Sequence, residues 1–384
     1  MVEDRRPRIL IVTRNLPPLV GGMERLNWHM AKELAKRAEV RIIGPAGSAA
    51  LAPTGVEVRE APLRPLWSFL HRARLLARSE ARTWQPDIVL AGSGLTAPIA
   101  RSAAKVAKAV AAVYVHGLDV ALSHPVYRIV WLPAIRRAHS VIANSRATAK
   151  RCRDIGVPED RIGIVYPGVE VPQATEVAPG CATDGVRERL GLDGRTLLIS
   201  VGRLTTRKGV REFVTEALPR IASVRPNVML LVVGDAPIQA LHAEAQTPAS
   251  ILKAARDAGV EEHIRFLGNL DYPELEEIYC AAQVHVFPVR DIPGDPEGFG
   301  MVAVEAAVHG LPTVAFASGG VVDAVSDGLS GKLVASGDYV AMADAVCRVL
   351  ADREGWSSGC IEFGRRFAWE HFGTQVSQWL SRPQ

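Results

Sequence analysis

The chain has 384 residues, of which 48% are hydrophobic and 22% are charged, a balance typical of a folded globular protein rather than a disordered one. This length exceeds what one hydrophobic core usually serves, so two domains are expected. The net charge of +4 is too small to indicate a nucleic-acid-binding protein, although it permits an anionic ligand or an anionic membrane surface.

Cysteine usage and hydropathy indicate the cellular compartment in which the protein works. Five scattered cysteines show neither metal nor redox spacing, and their odd number argues against a disulfide framework. They are Cys152, Cys181, Cys280, Cys347 and Cys360. The apolar run 9–12 is too short for a signal-peptide core, and Lys108 interrupts the apolar stretch 106–115. We therefore expect a cytoplasmic protein without a membrane-spanning segment.

The first half of the chain alternates short apolar strands with helices. Strands are predicted at 8–12, 40–43, 88–90, 110–115 and 141–143. A helix begins after Gly21-Gly22 and runs to about Lys36, and another covers 97–109. Asn144-Ser145 follows the last of these strands and is expected to cap the next helix. The alternation is typical of a doubly wound parallel sheet.

Two short motifs in this half are candidates for function. Gly21-Gly22 suits either a plain turn or a close approach of backbone to a phosphate, and the spacing of a dinucleotide fingerprint is missing. His116 follows a strand at its carboxyl end, where open α/β sheets place ligands, although a packed or solvated histidine is the ordinary alternative. Asp119 is a weaker candidate.

The segment 64–82 is predicted to be a basic amphipathic helix. Apolar residues recur on one face, Arg74, Arg78 and Arg82 recur on another, and Trp67 lies near the boundary. Such a helix can lie on an anionic membrane surface. The alternative is a surface helix that packs on its own domain and leaves its arginines solvated.

The second half repeats the pattern after a linker. Residues 165–185 are rich in Pro, Gly, Thr and Ala, which predicts a domain connection. Strands are then predicted at 197–201, 229–233, 264–267, 284–287, 313–316 and 332–334, with helices at 211–223 and 273–282. An apolar stripe follows at 363–380. The fold class is therefore α/β, with two doubly wound domains that each have a core.

Two cations follow the strand 197–201. Arg203 and Lys208 stand at its carboxyl end, and they suit a diphosphate held by side chains. The stretch is not a phosphate-binding P-loop, because no Gly precedes Lys208 and no Ser or Thr follows it. Two solvated surface cations are the alternative. At the ends of two further strands, backbone groups at Asp235 and Leu267 are candidates to hold a nucleotide base.

A loop at 295–300 leads into a helix that is predicted to begin near Phe299. Gly298 and Gly300 lack a Cβ, so the backbone can lie against a ligand, and the first-turn N–H groups suit a phosphate. Glu297 before the helix and Glu305 within it are placed to accept hydrogen bonds from the hydroxyls of a sugar or ribose. The alternative is an ordinary amphipathic helix with a Gly-rich start.

Four short motifs together carry a resemblance to a known family. They are Gly21-Gly22, His116-Gly117, the segment Gly202-Arg203-Leu204 with Lys208-Gly209, and Glu297-x7-Glu305. In this order the chain resembles the retaining glycosyltransferases of family 4, which have the GT-B fold. The motifs span nearly the whole chain, and the combination is what is specific.

The resemblance implies two Rossmann-like domains that face a central cleft. Residues 1–172 would form the acceptor-side domain, 173–363 the nucleotide-sugar-binding domain, and 364–384 a C-terminal helix that packs back on the first domain. The catalytic residues would be Glu297, His116, Arg203 and Lys208. The donor-binding residues would be Gly22, Arg203, Lys208, Asp235, Leu267, Glu297, Gly298, Phe299, Gly300, Met301 and Glu305. Asp119 would lie on the acceptor side.

The implied reaction moves a hexose from a nucleotide-diphosphate sugar to a growing bacterial glycan, with a lipid-linked glycan among the candidate acceptors. The donor would be a GDP-hexose such as GDP-mannose, with a UDP-sugar as the alternative. The chain contains no Asp-x-Asp motif, so no metal ion and no cofactor are expected, and cationic side chains would take the place of the metal. The enzyme would work in the cytoplasm, including the inner face of the membrane.

Three other classes stay open at this point. A sugar-nucleotide epimerase can have the same fold, but a second acid/base constellation is not evident in the sequence. An NAD-dependent oxidoreductase would need the missing glycine fingerprint. A nucleotide-binding scaffold without activity would not need Glu297, Glu305, Arg203 and Lys208 together. Fold alone does not decide among these classes.

Overall fold

The computed structural model describes residues 5–122, 124–172, 183–236, 246–352 and 355–382. The chain forms two units, of which unit 1 is Met1–Gly168 with Trp369–Gln384 and unit 2 is Val169–Ala368. The change from unit 1 to unit 2 falls inside the Pro-rich stretch 165–172. The part of the predicted linker at 173–182 lies outside the described residues.

Parallel strands and helices alternate along the chain. The strands are β1 Arg8–Val12, β2 Glu39–Pro45, β3 Glu57–Ala61, β4 Ile88–Ala91, β5 Val110–Val115, β6 Ser140–Ala143, β7 Ile162–Ile164, β8 Thr196–Val201, β9 Val228–Val233, β10 Ile264–Gly268, β11 Val284–Phe287, β12 Thr313–Phe316 and β13 Gly331–Val334. The helices are α1 Gly22–Ala35, α2 Leu66–Thr83, α3 Ala97–Ala107, α4 Leu118–Ala121, α5 Pro125–Arg136, α6 Arg146–Asp154, α7 Thr183–Arg189, α8 Val210–Glu216, α9 Leu218–Val224, α10 Pro248–Asp257, α11 Tyr272–Ala281, α12 Met301–Val308, α13 Val321–Ala324, α14 Tyr339–Ala351, α15 Ser357–Arg365 and α16 Trp369–Leu380.

Unit 1 is built on a parallel sheet in the order β3-β2-β1-β4-β5-β6-β7. Its central strands are continuous apolar runs, as β1 illustrates with Ile9–Val12 all buried, because helices cover both faces of the sheet. The strand order reverses between β1 and β4. At the end of the chain α16 packs on α1, where Trp369 stacks on His29 with ring centroids 4.0 Å apart. A Cβ on Gly373 would lie 2.3 Å from the Glu33 Cβ, so this close approach requires glycine.

Unit 2 is built on a second parallel sheet, in the order β10-β9-β8-β11-β12-β13. Apolar side chains fill both of its faces, with Leu198 and Phe213 on one side and Ile199 and Tyr279 on the other. Here the strand order reverses between β8 and β11. The predicted α/β class with two doubly wound sheets is therefore confirmed.

Eleven of the thirteen strands in the described residues were predicted, and the two that were missed lie at sheet edges. The sequence of β3, EVREA, is largely charged and mostly exposed, and β7 has only three residues with Gly163 at its centre. Neither has the apolar run that marks a strand covered on both faces.

Two predicted helices were wrong in extent. Residues 211–223 form two helices, α8 and α9, because Pro219 lies in the first turn of α9 and cannot continue α8. The C-terminal segment 364–384 is also not one helix, since α15 ends at Arg365 and α16 begins at Trp369. Phe363 and Phe367 pack in unit 2, whereas Trp369 belongs to unit 1.

The predicted amphipathic helix is α2. Phe69, Ala73 and Ala77 are fully buried on its inner face, which packs on α3. On its outer face Trp67 is 72% exposed and Leu75 is 49% exposed. Among the described residues no helix combines the length and the apolar character that crossing a lipid bilayer requires.

Candidate active site

Two loops meet where the strand order of unit 2 reverses. One loop follows β8 and contains residues 202–209, and the other follows β11 and contains residues 288–300. Because β8 and β11 are parallel and pair directly, their carboxyl ends lie side by side. In open α/β sheets this reversal point is where ligands bind.

A cluster of charged side chains joins these two loops. The Lys208 Nζ donates a hydrogen bond of 2.7 Å to the Glu297 Oε2, and the Arg207 Nη1 donates to the same oxygen. The Arg207 Nε also lies 3.2 Å from the Asp295 Oδ1. The side chains of Arg207, Lys208 and Glu297 are only 10%, 14% and 11% exposed. The carboxylate therefore acts as the common acceptor of two cations that are largely withdrawn from water.

The cluster perturbs the protonation of its members. Burial alone would raise the pKa of Glu297, but the charges of Arg207 and Lys208 outweigh burial and hold that pKa at about 2. Burial lowers the pKa of Lys208, Glu297 opposes this, and the charges of Arg207 and Arg203 add to it. Glu297 is therefore a carboxylate at neutral pH, and it stabilises the two cations beside it.

Backbone contacts hold the two loops together. Residues 206–208 form a single 3₁₀ turn, which brings the neighbouring side chains of Arg207 and Lys208 to one acceptor. Gly209 has φ of +69°, and a Cβ there would lie 2.2 Å from the Pro288 carbonyl oxygen. The Arg290 N–H donates a hydrogen bond of 2.8 Å to the Arg207 carbonyl oxygen. The positions of both cations are therefore fixed by the backbone as well as by Glu297.

A third loop, after β12, supports the backbone of Glu297. The Gly320 N–H donates to the Glu297 carbonyl oxygen at 3.0 Å, and a Cβ on Gly320 would lie 2.1 Å from the Gly298 carbonyl oxygen. The Ser318 Oγ donates a hydrogen bond of 2.8 Å to the Asp291 Oδ1. Three adjacent strands thus end in loops that contact one another around Glu297.

The helix α12 starts beside this cluster. It begins at Met301, slightly later than predicted, because Gly300 has φ of +99° and serves as its N-cap without a side-chain hydrogen bond. A Cβ on Gly300 would lie 2.8 Å from the Phe287 ring, and the Lys208 Nζ lies 4.7 Å from the centroid of that same ring. The positive end of the helix and the Lys208 ammonium are therefore neighbours, an arrangement that favours an anion.

Glu305 lies deeper than the cluster. Its side chain is 2% exposed, and the Tyr279 Oη donates a hydrogen bond of 3.3 Å to its Oε2. Glu297 lies in the loop before α12, whereas Glu305 lies inside that helix. The role of Glu305 as a ribose-binding residue stays a prediction.

The remaining predicted residues of unit 2 lie at or just after the carboxyl ends of its strands. The Arg203 side chain is exposed and close enough to Lys208 to affect the pKa of that amine. Asp235 is exposed at the end of β9, and its carbonyl oxygen accepts a hydrogen bond of 2.9 Å from the Leu204 N–H. Leu267 is partly buried in β10. Their contacts with a donor stay predictions.

In unit 1, His116 lies near the reversal point of the first sheet. Its Nε2 is 2.9 Å from the Gly92 carbonyl oxygen, so this nitrogen carries the donated proton, and Gly92 directly follows β4. The Asp119 Oδ2 accepts a hydrogen bond of 2.9 Å from the His116 N–H, which fixes the turn after β5. Gly22 is exposed at the start of α1. Asp119 therefore has a structural function in this turn besides its predicted place on the acceptor side.

Comparison with known proteins shows the family of the chain. A family model described as Glycosyltransferase Family 4 matches residues 20–172, and one described as Glycosyl transferases group 1 matches residues 195–352. The chain belongs to glycosyltransferase family 4.

Two relatives and one solved structure illustrate the likeness. The GDP-mannose-dependent alpha-(1-6)-phosphatidylinositol monomannoside mannosyltransferase of Mycolicibacterium smegmatis is 29% identical over 97% of this chain and 98% of that protein. The D-inositol 3-phosphate glycosyltransferase of Geodermatophilus obscurus is 34% identical over 62% of this chain and 51% of that protein. HepE of Anabaena, solved with UDP and glucose, shares the fold with a TM-score of 0.77 at 21% identity and covers 98% of this chain and 99% of its own.

Sequence reasoning missed part of this candidate site. Arg207 was given no role, because the side chains of consecutive residues usually point apart, and only the 3₁₀ turn brings it to Glu297 beside Lys208. The loop at 317–320 was also missed. Its signal was present, since Gly319-Gly320 follows a predicted strand in the same way as the other two loops do.

Proposed function

We propose that this family 4 glycosyltransferase moves a hexose from a nucleotide-diphosphate sugar to a glycan acceptor, with retention of configuration and without a metal ion. The buried cluster of Arg207, Lys208 and Glu297 at the reversal point of the second sheet carries the proposal. Arg203 adds a third cation near Lys208, and Asp295 lies beside Arg207. Guanidinium and ammonium donors gathered at one point suit the diphosphate of the donor.

The chemistry requires stabilisation of the leaving group. The bond between the sugar C1 and the bridging oxygen breaks, and its electron pair stays on the β-phosphate as the acceptor hydroxyl bonds to C1. On the retaining route the hydroxyl attacks from the same face and gives its proton to the departing phosphate. Lys208 and Arg207 are fixed donors for the developing charge, and stabilisation of this kind supplies much of the rate enhancement in many enzymes. Glu297 holds them in place and lies where it can also contact sugar hydroxyls.

The donor we propose is GDP-mannose or a related GDP-hexose. The relative from Mycolicibacterium smegmatis that aligns along its whole length is named as GDP-mannose-dependent, which supports this choice. A UDP-sugar is the second candidate, because the fold of HepE was solved with UDP and glucose. Thermal-shift titration with GDP and UDP, followed by measurement of nucleotide release from GDP-mannose and UDP-glucose, would separate the two. Unfolding temperatures raised by GDP alone would support the first candidate.

The acceptor we propose is a bacterial glycan that is anchored to a lipid, of the kind found in polysaccharide or lipopolysaccharide assembly, at the cytoplasmic face of the membrane. The outer face of α2 supports this proposal, because exposed Trp67 is followed there by Arg74, Arg78 and Arg82. Helix α5, which packs on α3 as α2 does, adds exposed apolar side chains, with Ile129 75% exposed. Exposed apolar and basic side chains on surface helices suit an anionic lipid surface.

Charge reversal on α2 should separate membrane binding from catalysis. We expect the wild type to bind anionic liposomes weakly and less as salt rises, since each cation near such a surface adds about 1 kcal/mol. Changing Arg74, Arg78 and Arg82 to Glu should abolish flotation with the liposomes and leave donor hydrolysis intact.

A triple variant in unit 2 is the control for net charge. Arg189, Arg211 and Arg220 are exposed, and changing them to Glu should leave flotation unchanged. If the wild type and the α2 variant float equally at low salt, α2 is not the membrane contact.

Activity should be independent of divalent metal. The chain contains no Asp-x-Asp motif, and the cations beside Glu297 can neutralise a diphosphate. We expect turnover of the donor to persist in excess EDTA at the rate seen without it. Complete loss of turnover that only an added divalent metal restores would refute this expectation.

A further inference from the structure

A cavity of about 360 Å³ lies in unit 2 at the amino ends of the strands, opposite the carboxyl ends where the candidate active site lies. Three of its lining residues are arginines, Arg187, Arg195 and Arg225, and none is Asp or Glu. Its volume lies within the range of small-molecule sites. A concave surface that gathers guanidinium groups without a carboxylate has the chemistry of an anion site.

The topology places these residues far along the strands from the active site. Arg195 directly precedes β8, Arg225 lies shortly before β9, and Gln283 directly precedes β11. The strands β9, β8 and β11 are neighbours in the sheet and run parallel, so their amino ends lie together. Lys208 and Glu297 follow the carboxyl ends of two of these strands. The cavity is therefore separate from the site described above.

Hydrogen bonds hold the walls of the cavity in place. The Arg187 Nη1 donates to the Arg195 carbonyl oxygen at 2.9 Å, and its Nη2 donates to the Ala281 carbonyl oxygen at 2.8 Å. The Gln283 Oε1 accepts a hydrogen bond of 2.6 Å from the Leu197 N–H. Arg187 thus contributes positive charge to the cavity, and its hydrogen bond to the backbone also holds Arg195 in position.

The other two guanidinium groups are not neutralised by the protein. Neither Arg195 nor Arg225 forms an ion pair with a carboxylate of the described residues, and both are partly exposed. By contrast, Arg189 in the same helix as Arg187 pairs with Glu277 at 2.8 Å. Two uncompensated guanidinium groups beside a third that is fixed can hold the oxygens of a phosphate group through several donors.

We propose that this cavity binds a phosphate group, either as a free phosphorylated small molecule or as the headgroup of a lipid. Arg195 and Arg225 are the direct ligands, and Arg187 supplies charge and positions the backbone of Arg195. The site is independent of the donor site, so its occupancy does not depend on the function proposed above.

The test uses inorganic phosphate as the probe, in calorimetric titrations at constant ionic strength. The protein carries Lys208→Ala, which weakens phosphate binding at the donor site. We expect saturable binding that falls about tenfold in Arg195→Gln and in Arg225→Gln, since each change removes one charged hydrogen-bond partner. Circular dichroism checks that the variants are folded.

The control removes the same charge elsewhere. Arg161 and Arg220 are exposed and lie outside the cavity, and changing either to Gln should leave phosphate binding unchanged. Vesicles containing phosphatidic acid show where the bound phosphate group comes from. Binding to the vesicles that depends on Arg195 and Arg225 indicates a lipid headgroup, whereas binding to free phosphate alone indicates a small molecule. No saturable binding to either probe, or equal binding by all variants, would overturn the proposal.

Discussion

Lys208→Ala is expected to lower kcat/KM by about tenfold to a hundredfold, since a hydrogen bond to a charged group contributes about 1.5–3 kcal/mol. The Lys208 ammonium is largely buried, is held by Glu297 at 2.7 Å, and lies beside the start of α12. We propose that it contacts the β-phosphate of the donor, where negative charge develops as the sugar leaves. The measurement is release of nucleotide from whichever nucleotide sugar the wild type turns over.

An exposed lysine of the same unit provides the matched control. Lys253 lies on the exposed face of α10, and Lys253→Ala should leave kcat/KM unchanged. If Lys208→Ala is folded and fully active, the assignment of Lys208 to the diphosphate is wrong.

Glu297→Gln is expected to reduce kcat by about tenfold to a hundredfold, with a smaller change in KM. The amide keeps the shape of the side chain but carries no charge, so it holds Arg207 and Lys208 less strongly than the carboxylate does. The two cations would then lie less well placed for the leaving phosphate. Glu305→Gln provides the comparison, and we expect it to raise the KM for the donor more than it lowers kcat.

The two glutamates can be distinguished by kinetics at saturating and limiting donor. A kcat effect at Glu297 and a KM effect at Glu305 would support the division of roles. Equal and negligible effects of both substitutions under both conditions would show that neither residue has the proposed role.

Acid stability gives an independent readout of the Glu297 cluster. The pKa of Glu297 is about 2 in the folded protein, against an ordinary value of 4.5, so the carboxylate stabilises the fold above pH 4.5. That contribution is lost as the pH falls from 4.5 towards 2, because the proton then binds the unfolded chain first. The free-energy difference between the wild type and Glu297→Gln should shrink across this window, as measured by urea unfolding.

Much of the fold could be predicted from local sequence because both sheets are covered on both faces. A parallel strand covered on both faces is a nearly continuous apolar run, and the run 110–115 has the same bounds as the strand β5. The edge strands β3 and β7 lack such runs, so their sequences resemble loops. The break between α8 and α9 at Pro219 was visible in the sequence but was not used.

The sequence predicted that the candidate site residues follow strands, but it did not predict which of their side chains contact one another. Lys208 and Glu297 stand after strands, and the order of the strands in the sheet, which the sequence does not state, brings them within hydrogen-bonding distance. Arg207 joins them only because of a 3₁₀ turn. The arginine cavity at the amino ends of the strands could not be predicted for the same reason. Arg187, Arg195 and Arg225 come together only through the strand order, and each one alone resembles a solvated cation in the sequence.

The central claim is that the Arg207–Lys208–Glu297 cluster binds the diphosphate of a nucleotide sugar that the enzyme turns over. The most direct measurement compares the wild type with the Arg207→Ala/Lys208→Ala variant for binding of GDP and UDP and for release of nucleotide from GDP-mannose and UDP-glucose. The account predicts that the wild type binds one nucleotide and turns over its sugar, and that the variant stays folded but loses both. A wild type that neither binds nor turns over a nucleotide sugar, or a variant with unchanged binding and turnover, would contradict it.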